Sequence, residues 1–423
     1  MERYREYKDS GEQWLGEIPS HWKVRKAKFL WTEKDNRSDC GNERPLSVSQ
    51  YDGVKPTTDE SRSESLEGYK IVEQNELVIN IMLAWLGGLG VSSYRGIVSP
   101  AYCVYKLDDR QNPKYMHYLY KTPMYLAEFA RRSTGIVPSR WRMYTDDFGQ
   151  VLTVVPPLSE QTAMVTYLDR VTAQIDKAIA QQQRMIDLLN ERKQIIIQHA
   201  VTKGLDPNAE MVDSGVEWIG KIPKGWKLYK LKHLLQDPLK YGANESASEY
   251  NETDPRYIRI TDIDNEGNLK NNTVCTIPLH KALPYMLQKG DLLLARSGAT
   301  VGKSYLFQED YKACYAGYLI KACFSKKISP QFVYLYTQSA SYSKWKDYIL
   351  IQSTIQNISA EKYANLLIPT PPVEVQLSIL KYLDPQLDKM NVTLANFNRK
   401  IEVLRERKQI IINEVVTGKV KVS

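Results

Sequence analysis

The sequence predicts an α+β chain of duplicated design: two globular domains separated by two long antiparallel helices that form a coiled coil, with pseudo-twofold symmetry. Three observations predict it. Two blocks of sequence return after roughly 210 residues, too long a period for a solenoid repeat. Each globular stretch is followed by apolar residues spaced alternately four and three apart. The segments between the repeated blocks have a strand-rich character.

The first repeated block opens each half. Asp9-Ser10-Gly11 leads to Trp14-Leu15-Gly16-Glu17-Ile18-Pro19 and then Trp22-Lys23. It returns as Asp213-Ser214-Gly215, Trp218-Ile219-Gly220-Lys221-Ile222-Pro223 and Trp226-Lys227. The second block opens at Val155-Pro156-Pro157-Leu158 with Gln161, and again at Thr370-Pro371-Pro372-Val373 with Gln376. Within it Tyr167-Leu168-Asp169 matches Tyr382-Leu383-Asp384, and Glu191-Arg192-Lys193-Gln194-Ile195-Ile196-Ile197 matches Glu406-Arg407-Lys408-Gln409-Ile410-Ile411-Ile412. Val201-Thr202 matches Val416-Thr417. The intervening residues, about 24–154 and 228–369, share few identities: a repeated frame carries two different inserts. The boundaries read from the sequence are a first domain over 1–157, a first spacer helix over 158–203, a second domain over 204–371 and a second spacer helix over 372–423.

The helix seams follow from periodicity. In the first copy the seam is Leu168, Ile175, Ile179, Ile186, Leu189, Ile196 and Ala200, with Thr172, Gln182 and Lys193 at polar positions. In the second it is Leu383, Leu387, Met390, Leu394, Phe397, Ile401, Leu404, Ile411 and Val415, with Lys408 at the gap. Matched seams in duplicated segments favour pairing with each other. The turn Lys203-Gly204-Leu205-Asp206-Pro207 sends the chain into the second domain, which places the helices antiparallel with a domain at each end. Pro385 is expected to kink the second helix or restart it, with Asp384 as the cap.

Composition excludes several classes. With 43% hydrophobic and 25% charged residues, the chain resembles an average globular protein rather than a disordered one. No apolar run is long enough to span a membrane, and the charged start is unlike a secretory signal. Five scattered cysteines (Cys40, Cys103, Cys275, Cys314, Cys323) make no CxxC pair, which argues against zinc or disulfides and fits a reducing cytoplasm. The net charge of +8 is mild, so nucleic-acid binding has to rest on local clusters. One cluster is Arg131, Arg132, Arg140 and Arg142, read as having no nearby acid. Another is the run from Lys312 to Lys346, which has six lysines and no Asp or Glu. The 28 Tyr and 8 Trp against 7 Phe suit wet binding surfaces, and Tyr-rich sheets equally.

Motifs for chemistry fail on context. Gly298-Ala299-Thr300-Val301-Gly302-Lys303-Ser304 has three residues between its glycines where a P-loop has four. A strand, not a phosphate-binding helix, is predicted after it. Ser99-Pro100-Ala101-Tyr102 is one residue from an amino-methyltransferase motif, and Gly87-Gly88-Leu89-Gly90 could serve as its cofactor loop. The strand–helix alternation such an enzyme needs is missing around them. The five histidines form no HExxH or His/Asp pair. The sequence contains no catalytic constellation and no metal site.

The repeated Trp-Leu/Ile-Gly-x-Ile-Pro-x-x-Trp starts, the Pro-Pro-x-x-x-Gln helix entries and the Glu-Arg-Lys-Gln helix ends resemble those of the specificity (S) subunit of type I restriction–modification systems. The resemblance covers both halves. Ser297-Gly298-Ala299-Thr300-Val301-Gly302-Lys303 and Ser353-Thr354-Ile355-Gln356-Asn357-Ile358-Ser359 look like elements of that family's target recognition domains, and Ser133-Thr134-Gly135-Ile136-Val137-Pro138-Ser139-Arg140 holds the equivalent place in the first half. Val375, where the first copy has Glu160, and Pro385 depart from the symmetric pattern.

The resemblance implies that each target recognition domain reads one half of a split double-stranded DNA site, while the paired helices set the gap. It implies two methyltransferase (M) subunits docked on the helices and carrying S-adenosylmethionine, and restriction (R) subunits using ATP and Mg. It implies an S subunit that binds no cofactor itself, catalyses nothing and works in a prokaryotic cytoplasm. The alternative is an adenine DNA methyltransferase with its own fused reader domains. The residues expected to contact DNA are Trp85, Ser133, Thr134, Arg140 and Arg142 in the first domain. In the second they are Arg256, Arg259, Ser297, Lys303, Gln352, Thr354, Gln356 and Asn357. Arg suits guanine, Gln and Asn suit adenine, and Lys suits phosphate.

Overall fold

The computed structural model describes residues 2–50, 53–57, 66–137, 141–264, 267–270, 272–298, 300–351 and 356–422. The chain divides into two compact units, Met1–Gln183 with Arg399–Ser423, and Arg184–Asn398. Each unit therefore holds one globular domain and a segment of both long helices, which run over Leu158–Lys203 and Val373–Val416.

In the first unit a four-stranded antiparallel sheet has the order Trp31–Lys34, Tyr102–Leu107, Leu77–Asn80, Leu89–Val91. The second unit repeats it as Lys240–Tyr241, Leu319–Ala322, Leu292–Ala295, Ser304–Leu306. The central strands Leu77–Asn80 and Leu292–Ala295 are buried along their whole length. A strand covered on both faces needs only apolar residues of suitable size, so the inserts keep one sheet with few shared identities.

The repeated frame closes each domain. Asp9 and Asp213 each accept from the amide two residues on, 2.9 Å away, in the turn of a short hairpin. Lys23–Lys26 pairs antiparallel with Leu152–Val155, and Lys227–Lys230 with Leu367–Thr370. The insert thus leaves from one strand and returns on its neighbour, directly before the helix.

The repeated glutamine locks that helix entry. Gln161 donates to the Pro156 carbonyl and the Gln111 side chain, both at 2.8 Å, and accepts from the Asn112 amide at 2.8 Å. Gln376 donates to the Pro371 and Lys327 carbonyls at 2.8 and 3.2 Å and accepts from the Ser329 amide at 2.8 Å. Both glutamines are fully buried. Only a side-chain amide supplies donors and an acceptor without charge, which explains the repeated residue type. The repeated aspartate ties in the short helix that follows the Asn112 or Ser329 amide, Pro113–Tyr120 in the first unit and Pro330–Thr337 in the second. Asp169 accepts from Tyr118 and Lys114 at 2.8 Å, and Asp384 from Gln331 at 2.9 Å.

The helix ends dock on the repeated tryptophans. Gly204 and Gly418 follow the two helices in left-handed conformation, with φ of +75° and +76°. A Cβ on Gly418 would lie 2.5 Å from Pro19 and 2.9 Å from Trp22, and one on Gly204 would lie 3.2 Å from Trp226. The Tyr7 hydroxyl donates to the Gly418 carbonyl at 3.0 Å, and Tyr115 donates to the Val154 and Val416 carbonyls.

The seam residues are buried or half-buried throughout. In the first unit Leu168, Ile175 and Ile179 share a core with Leu404, Ile411, Ile412 and Val415. In the second, Ile196, Ile197 and Ala200 share one with Ile379, Leu383 and Leu387. Ile186, Leu394 and Ile401 are buried, and Leu189, Met390 and Phe397 half-buried. Lys408 binds Asp176 at 2.7 Å, and Lys193 binds Asn391 at 2.8 Å. Moving forward from Asp176 to Lys193 on one helix means moving back from Lys408 to Asn391 on the other, so the helices pair antiparallel.

Two expectations are corrected. Pro385 does not restart the second helix, which is continuous from Val373 to Val416. Lys381 and Pro385 both lie on its exposed face, so the carbonyl left without an amide partner is open to water. Gln386 adds a bond to the Tyr382 carbonyl at 3.0 Å. Asp384 is no cap but the partner of Gln331, and burial together with Asp388 pushes its carboxyl up. Glu160 also has a specific role in its own copy. It accepts from Tyr4 at 3.0 Å and the Trp22 indole at 3.1 Å, and contacts His21 at 2.6 Å. Its counterpart Val375 packs on the apolar core instead.

Candidate nucleic-acid interface

In the first domain the candidates gather beyond the ends of the central strands. Trp85 sits in a 3-10 turn, Ala84–Leu86, just past strand Leu77–Asn80. Its indole donates to the Met82 carbonyl at 3.2 Å, and its ring meets Trp141 edge-on at 5.2 Å. Thr134 and Arg142 exchange two backbone hydrogen bonds of 2.9 Å, closing a loop. The Met143 amide ties that loop to the Ile81 carbonyl at 3.0 Å. Thr134, Trp141, Arg142 and Trp85 are thus brought together, with Ile136 in the loop 96% exposed. Ser133 is set back, donating to the Phe129 carbonyl at the end of helix Pro123–Arg132. Arg140 lies outside the described residues.

The first basic cluster is corrected. Glu128, buried, binds Arg131 at 2.7 Å and Arg132 at 2.5 Å. Burial works to raise its carboxyl, but the two guanidinium groups outweigh that and hold it below the usual range. Two of the four arginines are therefore neutralised within the fold. The Arg142 guanidinium donates to the neighbouring Trp141 carbonyl at 2.9 Å.

In the second domain Arg256 donates to the Lys270 carbonyl at 2.7 Å and the Tyr311 hydroxyl at 3.0 Å, beside a cavity of 380 Å³ also lined by Tyr250 and Lys312. Arg259 grips Asp262 through Nε and Nη2 at 3.1 and 3.0 Å and reaches the Thr273 carbonyl at 3.0 Å. Ser297 and Asn357 face each other in an antiparallel bridge, with Gln356 exposed beside them. Gln352 and Thr354 lie outside the described residues. Lys303 reaches the Asp264 carbonyl at 3.4 Å and lines a 210 Å³ depression with Thr300, Gly302, Ser343 and Lys346.

Sequence reasoning did not single out Arg296, whose setting differs from that of the other arginines of its domain. Only three arginines fall between residues 204 and 371: Arg256, Arg259 and Arg296. The first two are held by partners within the fold. Arg296 lies over the Tyr241 ring at 4.8 Å, and its Nε is buried without a hydrogen-bond partner. The one signal in sequence is the i,i+3 spacing of Arg259 and Asp262, which marks Arg259 as paired.

The decoy motifs resolve as turns. Antiparallel strands Leu292–Ala295 and Ser304–Leu306 flank the Gly298–Lys303 motif, so it opens a strand rather than a phosphate-binding helix of its own. Ser99 and Tyr102 close a turn with a 2.9 Å bond between strands Gly96–Val98 and Tyr102–Leu107. Gly87-Gly88 leads into strand Leu89–Val91 of an antiparallel sheet, not into a cofactor-binding helix. Among the described residues no helix is long and apolar enough to cross a membrane, and no group of three or more His, Cys, Asp or Glu side chains could hold a metal.

Residues 223–405 match the family described as type I restriction modification DNA specificity domain. The chain is 24% identical over 368 residues to the type I restriction enzyme MjaVIII specificity subunit of Methanocaldococcus jannaschii, covering 83% of this chain and 82% of that one. It is 24% identical over 312 residues to the type I restriction enzyme EcoBI specificity subunit of Escherichia coli, covering 69% of this chain and 64% of that one. A solved chain from a study of complex assembly and conformational transition of the type I R-M system shares the fold. Its TM-score is 0.64 at 15% identity, over 95% of this chain and 99% of that one.

Proposed function

We propose that this chain is a specificity subunit of a type I restriction–modification system and reads DNA in two halves, a reading that the matching specificity domain and the similar specificity subunits support. Each globular domain recognises one half of a bipartite duplex site, and the paired helices set the gap between the halves. One observation carries the reading: the two units build the same four-stranded sheet in the same order while their loop residues differ. A shared scaffold with different loops is what two different half-sites demand, since sequence is read by side chains at base edges and position by contacts to phosphate.

The helices are continuous over 46 and 44 residues. A helix of that length rises about 65–70 Å, enough to act as a ruler along roughly two turns of duplex. Both helices carry exposed large apolar side chains, among them Leu188, Ile195, Val392 and Val403. Such side chains suit docking of two methyltransferase subunits that carry S-adenosylmethionine. Restriction subunits with ATP and Mg join the assembled complex. This chain contributes recognition and spacing in the cytoplasm and no catalytic group.

Replacing residues 231–366 by residues 27–151 tests the reading. Two identical inserts on an antiparallel frame should, with methyltransferase subunits present, direct methylation to an inverted repeat of the first half-site at an unchanged gap. An unchanged asymmetric motif would overturn the assignment of one half-site to each domain.

A further inference from the structure

We infer that Arg296 is the guanine-reading side chain of the second domain, an assignment that rests on the DNA-reading function proposed above. The inference starts from which cations the fold leaves available. Arg256 and Arg259 are held by Tyr311, Lys270, Asp262 and Thr273. Among the described residues Arg296 has no carboxylate partner and no side-chain hydrogen bond, and its Nε is sequestered from water.

The position is rigid. Arg296 directly follows strand Leu292–Ala295, and its backbone is held on both sides: its amide donates to the Tyr318 carbonyl at 3.0 Å, and its carbonyl accepts from the Ile358 amide at 2.8 Å. The guanidinium lies 4.8 Å from the centre of the Tyr241 ring, and the Tyr241 hydroxyl is fixed by the Ala360 amide at 3.0 Å. Stacking orients the guanidinium without using its hydrogen-bond donors.

The neighbourhood is incomplete in the same way. Asn357, bridged to Ser297 next door, has its amide oxygen buried without a partner. Tyr318 stands 63% exposed beside them. A fold that needed this arginine only for packing would supply an acceptor, as it does at Arg259. An oriented fork of donors fits the O6 and N7 acceptors that guanine alone presents together in the major groove, whereas adenine presents a donor beside its acceptor.

The test uses the full chain with methyltransferase subunits at fixed salt, on duplexes in which each base pair of the bipartite site is replaced in turn. The unmodified chain is expected to discriminate one G·C pair of the second half-site by roughly 10- to 100-fold, the span of a bidentate contact. In Arg296→Gln and Arg296→Lys that discrimination should collapse at that one pair, with the first half-site profile intact as the folding control. Tyr241→Leu, which keeps the arginine and removes its platform, should weaken discrimination at the same pair. An unchanged profile in the Arg296 variants would overturn the inference. So would a uniform loss across all duplexes, the mark of a phosphate contact. Absence of any bipartite preference in the unmodified chain would overturn the DNA-reading function itself, and this assignment with it.

Discussion

Gly418→Ala should be among the most damaging single-methyl additions in the first unit. Two effects combine there. Gly418 has φ of +76°, a left-handed conformation that costs an L-residue with a Cβ about 1–2 kcal/mol. The added Cβ would also lie 2.5 Å from Pro19 and 2.9 Å from Trp22, and overpacking of this kind costs about 1–3 kcal/mol. The sum is about 2–5 kcal/mol. Gly204→Ala has the same backbone term but a nearest neighbour at 3.2 Å, on the rim of Trp226. It should cost the backbone term of about 1–2 kcal/mol plus a small part of the overpacking term. Gly11→Ala, with φ of +82° and nothing within 4 Å, isolates the backbone term alone. Urea unfolding of the full chain, followed by far-ultraviolet circular dichroism, converts midpoint shifts into these differences. The expected order of cost is Gly418, then Gly204, then Gly11. A Gly418→Ala chain as stable as Gly11→Ala would refute the docking of the helix end on Trp22.

The remaining predictions concern spacing, helix pairing and acid sensitivity. Deleting one heptad from each long helix should shorten the gap of the methylated motif by about 3 base pairs, since seven residues rise ~10 Å; an unchanged gap would remove the ruler. Lys408→Ala should cost under about 1 kcal/mol and lose even that at high salt, because the pair with Asp176 is partly exposed; a salt-independent loss would contradict an electrostatic role. Burial first, then Lys121 and Lys114, depress His117 from its ordinary range to about 4. The folded state therefore refuses a proton that the unfolded chain accepts, so this contribution to stability is full above about pH 6.5 and is lost as pH falls towards 4. His117→Asn keeps an acceptor for the Val91 amide, now at 3.1 Å from Nδ1, and should flatten the stability profile in that window. An unaltered slope there would assign the acid sensitivity to other groups.

Much of the fold is legible in sequence because its frame is written twice. Gln161 and Gln376 are visible as a repeated residue, and the structure supplies the reason: each joins a proline carbonyl, a loop and the start of a short helix. The common sheet of the inserts is not legible, because fully buried strands constrain size and polarity rather than identity. Pro385 does not restart its helix because it sits on the exposed face, where the carbonyl it leaves without an amide partner meets water. Arginines mislead most. Arg131 and Arg132 show their pairing in sequence, three and four residues after Glu128 on one helix, a spacing that reading them as a basic cluster passes over. Arg259 shows its pairing through Asp262 three residues on, whereas the stacking of Arg296 on Tyr241 joins residues 55 apart.

The most direct test of two reading domains on one ruler is single-molecule methylome sequencing of a cell that expresses this chain with its methyltransferase subunit. The account predicts N6-methyladenine in one bipartite motif, two short half-sites around a fixed gap. A single continuous motif, or no methylation with the methyltransferase subunit shown to be present, would contradict it.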